Sequence, residues 1–179
     1  TLLAMTAAGI DALSEGRCML GLGASGPQVI EGFHGVPYDA PMTRIREIVD
    51  ICREVWRRAA KLDYQGKKYQ IPLPADQGSG LGIPLKIINH PYRSDIPIAL
   101  ATLGEKSVEM TAEIADAWLP AFFMAEGADA VWGDALRRGN AKRDPSLPPL
   151  EVYAGGSVAI GEGLESYRDM SRPGIALYV

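Results

Sequence analysis

The stretch Arg17-Cys18-Met19-Leu20-Gly21-Leu22-Gly23-Ala24-Ser25-Gly26 decides the fold of this chain. Its first half is an apolar run typical of a buried strand, and its glycines allow a sharp turn and a close approach of the backbone to a ligand. Loops at the carboxyl ends of strands are where α/β proteins usually bind ligands. We therefore predict a strand over Cys18–Leu22 that leads into a ligand-facing loop.

The spacing Gly21-x-Gly23-x-x-Gly26 also matches the dinucleotide-binding fingerprint. That fingerprint requires a helix that opens at the last glycine and directs its N-terminus at a pyrophosphate. Here Pro27, Pro37 and two further glycines follow, which leaves room for at most one short helical turn. We therefore interpret the triplet as part of a different strand–loop–helix unit, or as a plain structural turn.

The composition is that of an ordinary soluble globular protein, with 47% hydrophobic and 22% charged residues among 179. The net charge of -4 argues against non-specific nucleic-acid binding, and no apolar run is long enough to span a membrane. Cys18 and Cys52 lie in apolar patterns, which suggests a reducing compartment. No cysteines and histidines in the sequence have the spacing of metal ligands. We expect a cytoplasmic protein with neither nucleic-acid nor membrane partners.

Strands and helices alternate along the chain, which predicts parallel strands joined by helical crossovers. The expected elements after the first strand are a helix from Pro41, a hairpin at Gln65-Gly66, an irregular segment Pro72–Pro84, strands Ile96–Ala101, Ala117–Pro120 and Val152–Ile160, and helices Thr1–Leu13, Glu105–Ala115, Glu126–Arg138 and Gly161–Met170. A complete (β/α)8 barrel needs about 250 residues. Roughly four units therefore predict part of a barrel or a smaller open sheet. We treat 1–179 as one domain with a hairpin and irregular insertion near 62–95.

The segment Ala101-Thr102-Leu103-Gly104-Glu105 is the better candidate for an anion site. The first N–H groups of the following helix, from Gly104 to Lys106, have no partner within a helix, and the helix dipole favours a phosphate there. The Thr102 hydroxyl could add a donor. A plain capped helix start is the alternative interpretation.

The sequence contains no nucleophile elbow, defensible carboxylate pair or metal set, so the catalytic residues are unknown. His34 follows the first strand and could face a substrate, although a lone histidine more often has a structural role. Trp118 ends a strand; core packing is its default interpretation, and a wall of the cofactor or substrate site is the alternative.

Several motifs together resemble the luciferase-like monooxygenase superfamily, and within it the deazaflavin (coenzyme F-420)-dependent oxidoreductases of actinobacteria. The similarity covers nearly the whole chain. The matching stretches are Leu3–Ala8, Asp11–Arg17, Leu20–Val29, Glu31–Gly35, Pro84–Lys86, Asp95–Ile98 and Ile114–Pro120.

The resemblance implies a TIM (β/α)8 barrel of the bacterial-luciferase-like type, only partly covered by this chain. The family's first strands, which carry its usual catalytic His or acid, would lie before Thr1, and its last strand after Val179. Both ends look cut, so we expect a part of a longer protein. The resemblance also implies hydride transfer between a deazaflavin coenzyme and a small organic substrate, and commonly a homodimer. The alternatives are an FMN-dependent monooxygenase and a truncated, non-catalytic barrel that only binds a ligand or partner copy.

By the same resemblance, the loop after the strand Ile96–Ala101 binds the cofactor phosphate. The loop Gly23–Gly26 lies beside the ring and ribityl chain, with Ser25 and Gln28 as polar contacts. The candidate cofactor-binding residues are Gly23, Ala24, Ser25, Gly26, Gln28, Ala101, Thr102, Leu103, Gly104 and Glu105.

Overall fold

A computed structural model describes residues 1–156, 158 and 160–176 as an α/β fold. The helices are α1 (Leu2–Leu13), α2 (Pro27–Gly32), α3 (Pro41–Arg57), α4 (Glu105–Ile114), α5 (Ala125–Lys142) and α6 (Leu164–Ala176), with a 3-10 turn at Ala75–Gln77. The strands are β1 (Leu20–Gly23), β2 (Tyr64–Gln65), β3 (Gln70–Ile71), β4 (Ile98–Ala101), β5 (Ala117–Trp118) and β6 (Glu151–Val152). No helix within these described ranges is long and apolar enough to cross a membrane.

Strands β1, β4, β5 and β6 form a parallel sheet in that order. Because side chains alternate along a strand, one face carries the small residues Gly21, Ala99 and Ala117, which lie side by side in the register. The other face carries bulky residues such as Leu100 and Trp118, both fully buried. Because all four strands run in the same direction, their carboxyl ends lie along one edge of the sheet. The predicted parallel α/β arrangement is confirmed.

Helix α3 provides the largest part of the core that covers the bulky face of the sheet. Its apolar residues recur every three or four positions, and Ile45, Val49 and Trp56 are buried against Leu100 and its neighbours. The Trp56 indole N–H donates to the Ala4 carbonyl of α1 at 2.8 Å. The predicted amphipathic helix from Pro41 is therefore confirmed.

An ion pair between a buried aspartate and a partly exposed arginine fixes the start of β1. The Asp11 side chain is fully buried, and its Oδ1 lies 2.6 Å from Nη2 of Arg93. The same Arg93 nitrogen donates to the Cys18 carbonyl at 2.7 Å, and the Cys18 N–H donates to Asp11 Oδ1 at 3.2 Å. The hydrogen bond from Arg93 outweighs burial and lowers the pKa of Asp11. These contacts tie α1, β1 and the segment before β4 together.

A second buried carboxylate holds the hairpin β2–β3 against α3. Glu47 accepts the backbone N–H groups of Lys67, Lys68 and Tyr69 at 2.7, 3.0 and 2.9 Å. Burial alone would raise the pKa of Glu47, but these backbone donors together lower it below its usual value. A β-carbon at Gly66 would lie 2.4 Å from Glu47 Oε2, so a larger residue there would push the carboxylate away from its backbone donors.

Two sequence predictions need correction. Helix α2 begins directly after Gly26 and extends over six residues, more than the single short turn expected, because a proline at the first helical position favours the helix start. Among the described residues of the strand expected over Val152–Ile160, only Val152 lies in a strand, as part of β6; the Tyr153 N–H still donates to the Trp118 carbonyl at 2.9 Å, and 154–156 lie outside the sheet. Residues 157, 159 and 177–179 lie outside the described part of the chain.

Candidate functional site

The two loops predicted to bind a ligand lie side by side at the carboxyl edge of the sheet. We call residues 23–26 the β1 loop and residues 101–105 the β4 loop. Gly23 pairs with Ala101 in the register, and a β-carbon at Gly23 would lie 3.5 Å from the Ala101 Cβ. Glycine and alanine therefore form the surface between the loops, where a flat molecule can lie close to the backbone.

The β1 loop is held in a sparsely populated conformation. Ser25 is exposed and has φ of +54°, in the left-handed region that costs a non-glycine residue about 1 kcal/mol or more. The Tyr38 hydroxyl donates to the Ser25 carbonyl at 3.2 Å and helps to hold it. Gln28 lies on the first turn of α2, with its Oε1 3.0 Å from where a Gly26 β-carbon would lie. No sequence pattern indicates the contact from Tyr38, which lies 13 residues from Ser25.

The β4 loop leads directly into α4, with Gly104 as the N-cap and no side chain capping the helix. The Ser107 hydroxyl and the Val108 N–H donate to the Gly104 carbonyl at 2.7 and 2.9 Å. The first N–H groups of a helix have no partner within it, and they lie at the positive end of its dipole. This exposed helix start has the chemistry of an anion site.

The Glu105 carboxylate is held against α5. Its Oε1 lies 2.6 Å from Nη2 of Arg138, which also pairs through Nε with Glu109 at 2.8 Å. This ion pair partly neutralises the negative charge nearest the start of α4. Arg138 lies 33 residues from Glu105, so no local sequence pattern indicates this pairing.

The Thr102 hydroxyl, predicted to assist at the anion site, instead lies in the core. Its Oγ1 is 2.7 Å from the Thr111 Oγ1, and both residues are buried. The reason is strand alternation: Ile98, Leu100 and Thr102 share the helix-facing side of β4. The Thr102 side chain therefore packs beneath the β4 loop, and only its backbone lies near the candidate anion site.

Two tryptophans lie beneath the β4 loop. The Trp118 indole N–H donates to the Thr102 carbonyl at 2.9 Å, and the Trp132 indole N–H donates to the Leu103 carbonyl at 2.8 Å. The two rings meet edge to face at 5.2 Å, and Phe123 stacks on Trp132 at 6.1 Å. The core interpretation of Trp118 is confirmed. The contact made by Trp132 could not be recognised from the sequence.

A cavity of about 460 Å³ lies behind the β1 loop, with Gly23 and Ala24 in its wall. Apolar side chains between residues 30 and 48 form much of its lining. Asp39 at its rim pairs with Lys68 and, at 2.6 Å, with Arg44. The hydrogen bonds from Lys68 and Arg44 lower the pKa of Asp39 to about 2, so its carboxylate is charged at neutral pH.

The geometry assigns no acid or base. His34 is exposed and packs edge to face on Phe33, with ring centroids 5.4 Å apart. Within the described part of the chain, no group of three or more His, Cys, Asp or Glu side chains could hold a metal ion. The two loops and the cavity behind them can bind and orient a ligand.

Comparison with known proteins gives relatives over the whole chain. The sequence is 41% identical over 182 residues to the "Putative coenzyme F420-dependent oxidoreductase Rv3520c" of Mycobacterium tuberculosis, covering 100% of this chain and 52% of that protein. The chain thus spans about half the length of this curated relative. It is also 26% identical over 179 residues to a 5,10-methylenetetrahydromethanopterin reductase of Archaeoglobus fulgidus, covering 98% of this chain and 49% of that protein.

The fold is likewise similar to that of solved enzymes. A coenzyme F-420-dependent tetrahydromethanopterin reductase from Methanopyrus kandleri superposes with a TM-score of 0.70 at 20% identity, over 90% of this chain and 47% of the other. The sequence profile of the family described as luciferase-like monooxygenase matches residues 1–178. With a match of that extent and this parallel sheet, the chain belongs to the luciferase-like monooxygenase family.

Proposed function

We propose that this chain is the cofactor-anchoring part of a coenzyme F-420-dependent oxidoreductase, which transfers a hydride between the deazaflavin and a small organic substrate. One observation carries the proposal: a surface of glycine and alanine lies directly beside a helix start that no side chain caps. This arrangement suits a flat ring that carries a phosphate. The names of the Mycobacterium tuberculosis and Methanopyrus kandleri proteins, which are similar to this chain, include the same coenzyme.

The proposed contacts divide between the two loops. Backbone N–H groups of Gly104 and Glu105 would hold the phosphate, and Ala101, Thr102 and Leu103 would form the adjoining backbone. Gly23, Ala24 and Gly26 would lie beside the ring, with Ser25 and Gln28 as polar contacts. The deazaflavin supplies the hydride chemistry when bound, while these residues orient it and exclude water.

We also propose that the parallel sheet is an arc of a (β/α)8 barrel. The strand order β1, β4, β5, β6 supports this, since each strand lies beside the next strand of that sheet in the chain, as in a barrel wall. The similar proteins are about twice as long as this chain. The homodimer expected from the family resemblance stays a prediction, which light scattering can check.

An FMN-dependent monooxygenase is the second candidate. A monooxygenase from Streptomyces bottropensis superposes with a TM-score of 0.60 at 18% identity, over 95% of this chain and 49% of the other. FMN also combines a flat ring with a phosphate, so the two loops suit either cofactor. The similarity to proteins named as coenzyme F-420-dependent favours the deazaflavin over FMN.

Fluorescence titration of the purified protein with coenzyme F-420, FMN and NADPH tests the proposal. We expect saturable binding of coenzyme F-420 and weaker binding of the other two. Preferential binding of FMN would support the monooxygenase instead. Binding of none of the three would contradict both and favour a chain that does not hold a redox cofactor.

A further inference from the structure

Two successive carbonyl groups of the β4 loop are bound by the same aromatic cluster. Trp118 donates to the Thr102 carbonyl at 2.9 Å, and Trp132 donates to the Leu103 carbonyl at 2.8 Å. The two indoles touch, with ring centroids 5.2 Å apart and planes at 80°. Both carbonyls therefore face the same side of the loop, the side on which the two tryptophans lie.

This fixes the direction of the N–H groups in the same peptide units. In a planar trans peptide, the C=O of one residue and the N–H of the next point in opposite directions. With the carbonyls of Thr102 and Leu103 directed at the indoles, the N–H groups of Leu103 and Gly104 point away from them. The loop consequently presents donors on the side opposite the tryptophans.

We infer that Trp132, together with Trp118, is a positioning residue that sets the polarity of this loop for phosphate binding. The inference rests on the function proposed above. A phosphate at the start of α4 is attracted by N–H dipoles and repelled by carbonyl dipoles, so the orientation of these peptides decides the sign of the local field. Without its indole donor, the Leu103–Gly104 peptide can rotate and turn its oxygen towards the anion.

Trp132 can be tested without removing the core. Trp118 is fully buried, whereas Trp132 is half-buried and its ring stacks nearly parallel to Phe123, with planes at 6°. A phenylalanine at position 132 can keep aromatic contact with Phe123 but has no N–H to donate. Trp132→Phe therefore separates the hydrogen bond from the bulk of the packing. Val131→Ala, at the adjacent and 63% exposed position of α5, is the matched control.

The experiment compares two ligands that differ only in the phosphate-bearing part. Dissociation constants are measured for coenzyme F-420 and for the corresponding deazaflavin whose ribityl chain carries no phosphate, on the wild type and both variants. Thermal unfolding is recorded alongside. We expect the wild type to bind coenzyme F-420 more tightly than the phosphate-free deazaflavin. Trp132→Phe should reduce this preference by about tenfold, the value of one well-made hydrogen bond. The affinity for the phosphate-free deazaflavin should not change.

The outcomes separate this inference from the proposed function. A wild type that binds neither ligand overturns the function and the inference with it. A wild type that binds both ligands equally keeps a deazaflavin site but overturns the role of the loop. If Trp132→Phe weakens the binding of both ligands by the same factor, Trp132 is only a packing residue and the inference is wrong. The same conclusion follows if Trp132→Phe and Val131→Ala have the same dissociation constants for both ligands.

Discussion

Gly139 of α5 lies so close to α4 that a β-carbon at this position would be 2.2 Å from the carbonyl oxygen of Glu109. It would also be 2.6 Å from the Ala112 Cβ. The obstacle is backbone, which cannot move aside as a flexible side chain can. Arg138 and Lys142 of α5 pair with the Glu109 carboxylate at the same contact. The position of α4, and thus of its N-terminus, depends on this close approach.

We predict that Gly139→Ala lowers the free energy of unfolding by about 1–3 kcal/mol, the usual cost of overpacking. Gly127→Ala is the control, because it lies in the same helix and a β-carbon there meets nothing within 4 Å. Alanine also favours a helix over glycine by up to about 1 kcal/mol, so the control should be neutral or stabilising. Urea unfolding of both variants checks this. If Gly139→Ala and Gly127→Ala had equal free energies of unfolding, α4 and α5 could move apart without an energetic cost, and the prediction would be wrong.

Gly104→Asp should separate stability from ligand binding. Aspartate is a favoured N-cap, so its carboxylate can accept the free N–H groups of α4 and leave the protein at least as stable as before. The same carboxylate occupies and repels the proposed phosphate position. We expect the affinity for coenzyme F-420 to fall at least about tenfold, which corresponds to about 1.4 kcal/mol.

The control for this variant is Gly104→Ala, whose β-carbon would make an ordinary contact of 3.6 Å with the Ser107 Oγ. It should retain most of the affinity, since it adds no charge. Fluorescence titration and thermal unfolding measure the two effects. Unchanged affinity of Gly104→Asp for coenzyme F-420 would contradict the assignment of the phosphate site to the start of α4.

Two substitutions at Ser25 distinguish its hydroxyl from its backbone. Ser25→Gly relieves the left-handed conformation and should be more stable than Ser25→Ala by about 1 kcal/mol. Both remove the hydroxyl. If the hydroxyl contacts the cofactor, both should weaken binding of coenzyme F-420 similarly, by about fivefold to tenfold. A loss of affinity seen only in Ser25→Gly would instead show that binding depends on the fixed conformation of the β1 loop, which Tyr38 helps to hold, and not on the hydroxyl.

Glu47 predicts a pH dependence of stability. Its pKa is lowered in the folded protein, so its contribution is present at neutral pH, above its unfolded pKa of about 4.3. The contribution disappears as the pH falls from that value through the lower folded pKa. Glu47→Gln should therefore be less stable at pH 7, with the difference from wild type shrinking towards pH 3.

Unfolding free energies measured between pH 3 and 7 check this, with Glu162→Gln as an exposed control. The control should follow the wild-type curve. Parallel curves for wild type and Glu47→Gln would mean that the three backbone hydrogen bonds do not depend on the carboxylate charge.

The sheet could be predicted because each of its strands is indicated by a local sequence pattern. Apolar runs such as Ile98–Ala101 alternate with amphipathic helices, and that order is typical of a parallel arrangement. The contacts of Tyr38, Arg93 and Trp132 could not be predicted, since each joins residues far apart in the chain and no periodicity records them. The error at Thr102 was avoidable. Counting by twos from Ile98 places its side chain on the helix-facing side.

The Asp11–Arg93 ion pair and the Glu47 contacts have a consequence for how this chain can change in length. They anchor the polypeptide on either side of the irregular segment Pro72–Pro84. Lengthening a loop between fixed ends costs only about 0.6 kcal/mol per doubling. Insertions or deletions there need not disturb the alignment of β1 with β4. The segment is therefore the part of the chain most open to remodelling by evolution or by design, while the sheet beneath it stays in place.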